Sequence, residues 1–212
     1  KNLSMLDASI CLTKIGQSIT KENFIKCFHK LLENGFSMSS TEEKYLTALV
    51  TVVVEKGVLT ELKPKFKILA YYNEYNLQLL KGLIEIKAYD EVIDSCKKII
   101  TRNSEEKYDL AYLNILMEVY TILSDKKNLI LTKKMIFEIC PDYHNYKAVD
   151  EMLESNSDKS AFKKLALTKQ IRPQTKDYIA VLSLKFGIWN DEEDYEKILD
   201  KLDTPAAYDL AK

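Results

Sequence analysis

Residues 110–141 read LAYLNILMEVYTILSDKKNLILTKKMIFEICP, and their pattern decides the fold. Apolar residues recur every three or four positions on both sides of Ser124-Asp125-Lys126-Lys127, which is the period of a helix buried along one face. Tyr108–Leu123 and Asn128–Cys140 therefore form two antiparallel helices joined by a short turn, and Pro141 closes the segment because it cannot continue a helix.

Working outward, the same pattern recurs. Tyr75–Ile86 pairs with Asp90–Ile100, Tyr143–Leu153 with Ser160–Gln170, and Lys176–Phe186 with Asp191–Leu202. Upstream, Leu3–Ile15 is a helix stopped by Gly16. Thr20 caps Glu22–Glu33, whose stripe is Phe24, Cys27, Phe28, Leu31 and Leu32, with Gly35 at its C-terminal stop. A third helix opens at Ser40 with Glu43 in a capping box and runs to Gly57. The β-branched run from Val50 to Val54, followed by Glu-Lys-Gly, leaves a hairpin open over Val50–Leu62. Helix is preferred because Glu42–Leu49 is already helical in pattern and a lone hairpin has no sheet to join. Pro64 belongs in the first turn of the next short helix.

Composition agrees. The 212 residues contain only 5 Gly and 4 Pro, where average usage gives roughly 15 and 10. Sandwiches, barrels and dinucleotide folds consume glycine at turns and phosphate loops, so an all-α chain is expected.

Three of the prolines, Pro141, Pro173 and Pro205, are spaced 32 residues apart, and the first two open PDYHNYKAV and PQTKDYIAV. In that register Tyr146 matches Tyr178, Ala148 matches Ala180 and Val149 matches Val181, with the alanines expected at close helix contacts. With Leu116, Tyr120, Leu129, Ile136 and Pro141 in phase, residues 72–212 resemble the tetratricopeptide repeat family, although Met117 stands where that family has glycine and Leu129 where it has alanine. The resemblance implies a right-handed α-solenoid of stacked antiparallel helix pairs over 72–212, with N-terminal helical pairs at 1–71 packing on it as one continuous helical domain. The alternative is an irregular helical bundle.

Charge and chemistry narrow the function classes. Lys plus Arg number 31 against 32 acidic residues, and arginine occurs only at positions 102 and 172. Neutralising phosphates needs a basic surplus, and reading bases favours Arg, so nucleic acid is a disfavoured partner. The Lys pairs at 97–98, 126–127, 133–134 and 163–164 read as solvated helix faces. No stretch is apolar enough to span a membrane. Cys11, Cys27, Cys96 and Cys140 stand apart without metal-ligand spacing, and are expected as buried, reduced thiols in an intracellular, cytoplasmic protein. Asp191-Glu192-Glu193-Asp194 invites a metal reading, but Asn190 with Glu193 makes a capping box and acids suit a first helical turn. His29 and His144 lack a catalytic partner in sequence. Trp189 falls in a turn, as a contact residue or a plug. No catalytic residue, cofactor or metal is expected, and the first Lys in place of Met suggests a segment of a longer protein.

The expected function is a non-enzymatic scaffold or adaptor that holds a protein, peptide or partner helix in a groove lined by first helices. Carried over from the resemblance, the groove positions are Asn114 and Glu118, Tyr146 and Asp150, and Tyr178 and Leu182. The alternatives are an RNA-binding helical repeat, with Tyr146 and Tyr178 stacking on bases, and the helical sensor or regulatory part of a larger regulator.

Overall fold

The structure, a computed structural model, describes residues 5–34, 36–37, 41–100, 109–169 and 178–200, with only the backbone of 5–9. Gly35, Ser40, Pro173 and Pro205 lie outside them. Twelve α-helices and no strand occur among the described residues. The chain divides into two compact units, residues 1–102 and 103–212.

In the first unit, α1 (Met5–Ser18), α2 (Lys21–Glu33), α3 (Glu43–Glu55), α4 (Leu59–Leu62), α5 (Asn73–Glu85) and α6 (Tyr89–Ile100) follow one another, with a 3-10 turn at Lys63–Lys65 carrying Pro64 in its first turn. The Val50–Val54 run is helical. Leu46, Leu49, Val50, Val52 and Val53 are all buried, so packing around α3 outweighs the β preference of its branched side chains. α3 packs against both α1 and α5, and its two ends supply caps for them. Lys56 Nζ donates to Ile19 O at 2.5 Å and Gln17 O at 3.3 Å, at the C-terminal end of α1. Glu43 Oε1 accepts from the backbone N–H groups of Glu74 (2.7 Å) and Tyr75 (3.3 Å), the orphan donors at the start of α5. Glu43 was expected to cap its own helix. It lies inside the first turn of α3 and caps a neighbour instead.

Gly16 does not stop α1, which continues to Ser18. A Cβ there would meet Val52 Cγ1 at 2.6 Å, so the glycine is the close-approach point of α1 on α3. Gly82 does the same in α5, where a Cβ would sit 2.8 Å from Leu59 Cδ2 and nearer still to Val54 Cγ2. In α2, Thr20 caps as expected by accepting from Asn23 N. Phe24 and Phe28 are buried, but Cys27 and Leu31 of the expected stripe are exposed. The expectation of four buried thiols is likewise corrected. Cys96 is buried and Cys140 half-buried, while Cys11 and Cys27 are exposed.

The second unit runs α7 (Asp109–Ile122), α8 (Lys126–Ile139), α9 (Tyr143–Asp150), α10 (Asn156–Leu167), α11 (Tyr178–Asp191) and α12 (Tyr195–Leu199). α7 packs on α8, α8 on α9, α9 on α11, and α11 on α12, with α10 against both α9 and α11. These are helix-turn-helix units stacked mainly on their sequence neighbours, a generic helical repeat.

One turn recurs. Gly57, Lys87, Ser124 and Glu193 have φ of 62°, 61°, 56° and 56°. Each follows the first helix of a pair, and each donates its N–H to the carbonyl three residues back (Val54, Ile84, Thr121, Asn190). The next residue donates to the carbonyl five back: Val58 to Val53, Ala88 to Leu83, Asp125 to Tyr120, Asp194 to Trp189. This is the Schellman arrangement, built at three of four sites without glycine. The α9–α10 connection differs. It lacks a left-handed residue, and Ser155 restarts the chain by accepting from Ser157 N and Asp158 N.

The turns fix the register. Ser124 and Glu193 are 69 residues apart, two repeats of 34 and 35. In that frame the buried residues superpose: Tyr112, Ile115 and Val119 on α7, Tyr146, Val149 and Leu153 from α9, Val181, Leu184 and Ile188 on α11. The 32-residue register suggested by the Tyr-x-Ala-Val match is therefore slipped by about one helical turn. Ala148 aligns with Ser183 and Ala180 with Asn145, and both alanines are half-buried.

The acidic run is corrected by the same turn. α11 continues to Asp191, and Glu193 is the left-handed residue, so Asn190 and Glu193 form no capping box. Trp189 lies in α11 and is buried with Leu182, Phe186 and Ile198, a plug in the core and not a turn residue.

Candidate functional site

α9 is short and α10 returns across its end, which leaves a groove of about 320 Å³ between α9, α10 and α11. It is lined by Tyr146, Asp150, Lys159, Ser160, Lys163, Ile188, Asp191 and Glu192. α9 is set in place by Asp142, whose carboxylate accepts from Asn145 N at 2.8 Å, directly after Pro141.

Tyr146 belongs to both core and groove. Its ring is only 4% exposed, stacks 5.5 Å from Phe162 at 8°, and lies 6.3 Å from Tyr143. Burial pushes its hydroxyl pKa up to about 12, with Asp150 nearby adding to the effect. Its hydroxyl meets no hydrogen-bond partner among the described residues, and none of their buried side-chain oxygens is orphaned, so the O–H reaches the groove. Beside it, the side chains of Asp150, Lys159 and Ser160 have no hydrogen-bond or ion-pair partner among the described residues.

One wall is pinned by Asp191. Its two carboxylate oxygens each lie 2.8 Å from the Tyr143 hydroxyl, and Lys147 Nζ donates to Oδ2 at 2.9 Å. Partial burial works against the charged carboxylate, but the hydrogen bonds from Lys147 and Tyr143 outweigh it and hold the pKa below the ordinary value. Lys147 is raised, chiefly by its hydrogen bond to Asp191. Tyr143 is raised by burial first and by Asp191 second. Gly187 makes this wall possible, since a Cβ there would lie 2.6 Å from Tyr143 Cε2 and nearer still to two other ring atoms. Lys163 closes an ion pair with Glu192 at the other rim.

Of the residues anticipated for a groove, Tyr146 and Asp150 meet in this one. Tyr178 is half-buried, Leu182 is buried in the cluster around Trp189, and Asn114 and Glu118 are exposed on α7. The 34- and 35-residue spacing gives these six no common helical position. Lys147, Lys159, Lys163, Asp191 and Glu192 were not anticipated as groove residues. Sequence places the two acids in a first turn; the Schellman turn at Glu193 puts Asp191 on the last turn of α11 and Glu192 just beyond it.

A second cleft of about 570 Å³ lies in the first unit, with Phe66, Leu79, Leu83 and Ile99 among its apolar lining and Lys67, Asp90 and Asp94 among its charged residues. No cluster of three or more metal-ligating side chains occurs among the described residues, and His29 and His144 are both exposed. No helix among them is long and apolar enough to cross a membrane.

Compared with protein-family models, with curated proteins and with solved structures, the chain finds no match.

Proposed function

We propose that the chain is a non-enzymatic interaction scaffold, a tetratricopeptide-like array that holds a peptide or partner helix of another protein. The observation that carries this reading is the α9–α10–α11 groove, where the Tyr146 hydroxyl, Asp150, Lys159 and Ser160 present donors and acceptors that meet no partner among the described residues. Such groups on a rigid helical wall suit the amides and side chains of a bound segment.

RNA binding has less support. In the Lys pairs at 126–127, 133–134 and 163–164 one member is already engaged: Lys126 with Glu154, Lys134 over the Phe162 ring, Lys163 with Glu192. Tyr146 has no ring face free to stack on a base.

The test is a peptide-display selection on the purified chain, followed by fluorescence anisotropy of the selected peptides. Asp150→Ala and Lys159→Ala should each weaken binding by about tenfold, which is ~1.4 kcal/mol, with the melting temperature unchanged. Peptides that bind both variants as tightly as the parent, or a selection that yields no binder, would overturn the assignment.

A further inference from the structure

The second helices of successive pairs carry apolar residues on the wrong side. On α8, Leu131 and Met135 are 50% and 44% exposed and lie one turn apart, with Phe137 buried on the far side of the helix. On α10, Leu165 is 46% exposed and occupies the position of Met135 when Thr132 is aligned with Phe162, both buried. α8 and α10 are neighbours there. The Phe137 and Phe162 rings meet edge to face at 5.1 Å, and Lys169 of the α10 end pairs with Glu138 of α8. The outward side of the two helices is thus an apolar stripe flanked by Lys127, Lys134 and Lys164. Lys127 and Lys164 have no ion-pair partner among the described residues, and the adjacent acid, Glu138, is neutralised by Lys169.

α12 is the counterpart. Tyr195 and Leu199, again one turn apart, are 56% and 66% exposed, while Ile198, beside them on the helix surface, is buried. Around them Glu193, Glu196 and Asp200 are exposed, with no ion-pair partner among the described residues. One face is apolar and basic, the other apolar and acidic, and both belong to the same unit. Aromatic residues favour lipid interfaces, and the basic stripe has none, which argues against a bilayer as its occupant.

We propose that α12 of one copy docks on the α8–α10 stripe of a second copy, giving a head-to-tail self-association. The two surfaces differ, so the contact is heterologous and each copy keeps one face of each kind available for further copies. With three apolar residues on one side and two on the other, the interface is in the weak, transient class, with dissociation constants in roughly the micromolar-to-millimolar range.

Sedimentation velocity across about 10 μM to 1 mM reads the association directly. The parent should sediment faster as concentration rises, and less so in high salt. Leu131→Ser with Met135→Ser removes one face, and Tyr195→Ser with Leu199→Ser removes the other. All four sites are solvent-exposed, and circular dichroism checks that both variants keep the parent fold. Each variant alone should stay monomeric, and the two mixed should give a heterodimer and nothing larger. A parent that is monomeric throughout overturns the proposal, as does either variant associating like the parent or a mixture that stays monomeric. Binding of the monomeric parent to vesicles containing phosphatidylserine would assign the basic stripe to a lipid surface instead.

Discussion

Gly82→Ala puts two opposing effects on one atom. Within a helix, alanine is favoured over glycine by about 1 kcal/mol, and on propensity alone the variant should be more stable. The added Cβ, however, would lie 2.8 Å from Leu59 Cδ2 and closer to Val54 Cγ2, where carbon atoms need roughly 3.5–4.0 Å. Val54 sits in helix α3, where a β-branched side chain has essentially one rotamer, so it cannot swing aside. α5 must move off α3, and such overpacking costs typically ~1–3 kcal/mol. The separations are far inside contact distance, so the upper end of that range applies and the clash should win, with a net loss of about 2 kcal/mol, which for a unit near 100 residues is roughly 8–16 °C in melting temperature. Thermal unfolding followed by circular dichroism at 222 nm measures it. Val54→Ala removes the obstructing methyls, and in the double variant the penalty for Gly82→Ala should shrink by about 1 kcal/mol. A Gly82→Ala protein as stable as the parent, or a double variant whose losses merely add, would refute the close-approach account of this glycine.

The left-handed turns give a prediction of opposite sign. Ser124→Gly and Lys87→Gly should each stabilise by about 0.5–1 kcal/mol in urea unfolding, because only the non-glycine residue is strained at positive φ, while Gly57→Ala should lose a similar amount. Thiol labelling with a disulfide reagent should modify Cys11 and Cys27 at once, Cys140 slowly and Cys96 only on unfolding, since burial alone pushes the Cys96 pKa up to about 12. Acid titration should weaken the α9–α11 wall. The Asp191 pKa is depressed in the fold, so its contribution is complete above the unfolded carboxylate value and is lost as pH falls through the folded one. Lys147 is raised, so its share persists below the unfolded lysine value and is lost as pH rises through the folded one. Urea midpoints of the parent and Asp191→Asn should therefore differ near neutrality and converge in acid.

The helical class was legible because glycine and proline scarcity and the 3.6-residue pattern both report local geometry. The Val50–Val54 run was harder, and α3 is helical there because α1 and α5 cover it on two sides, a fact that no local pattern carries. The repeat was visible but slipped. A displacement of about one helical turn leaves residues on nearly the same face, so Tyr146 and Tyr178 looked equivalent until the turns at Ser124 and Glu193 set the phase. Glycine misled at Gly16, since a helix stop and a close crossing ask for the same residue for different reasons, one for φ and the other for the missing Cβ. For the groove, Tyr146 and Asp150 were within reach of the sequence. Lys159, Lys163 and Asp191 were not, because their meeting depends on the short α9 and on where α11 ends.

The capping of two neighbours by one helix sets how the first unit can come apart. Lys56 and Glu43, at the two ends of α3, hold the end of α1 and the beginning of α5, so neither neighbour can leave without freeing a charged group and the buried valines beneath it. Amide exchange from α3 should then require the opening of the whole unit, and α1, α3 and α5 should share one opening free energy. The second unit is wired in series. Among the described residues α12 touches chiefly α11, and a helix held by one neighbour can detach while α7 to α10 stay closed. Exchange should grade inward from α12, so one chain would combine a cooperative block with a fraying stack.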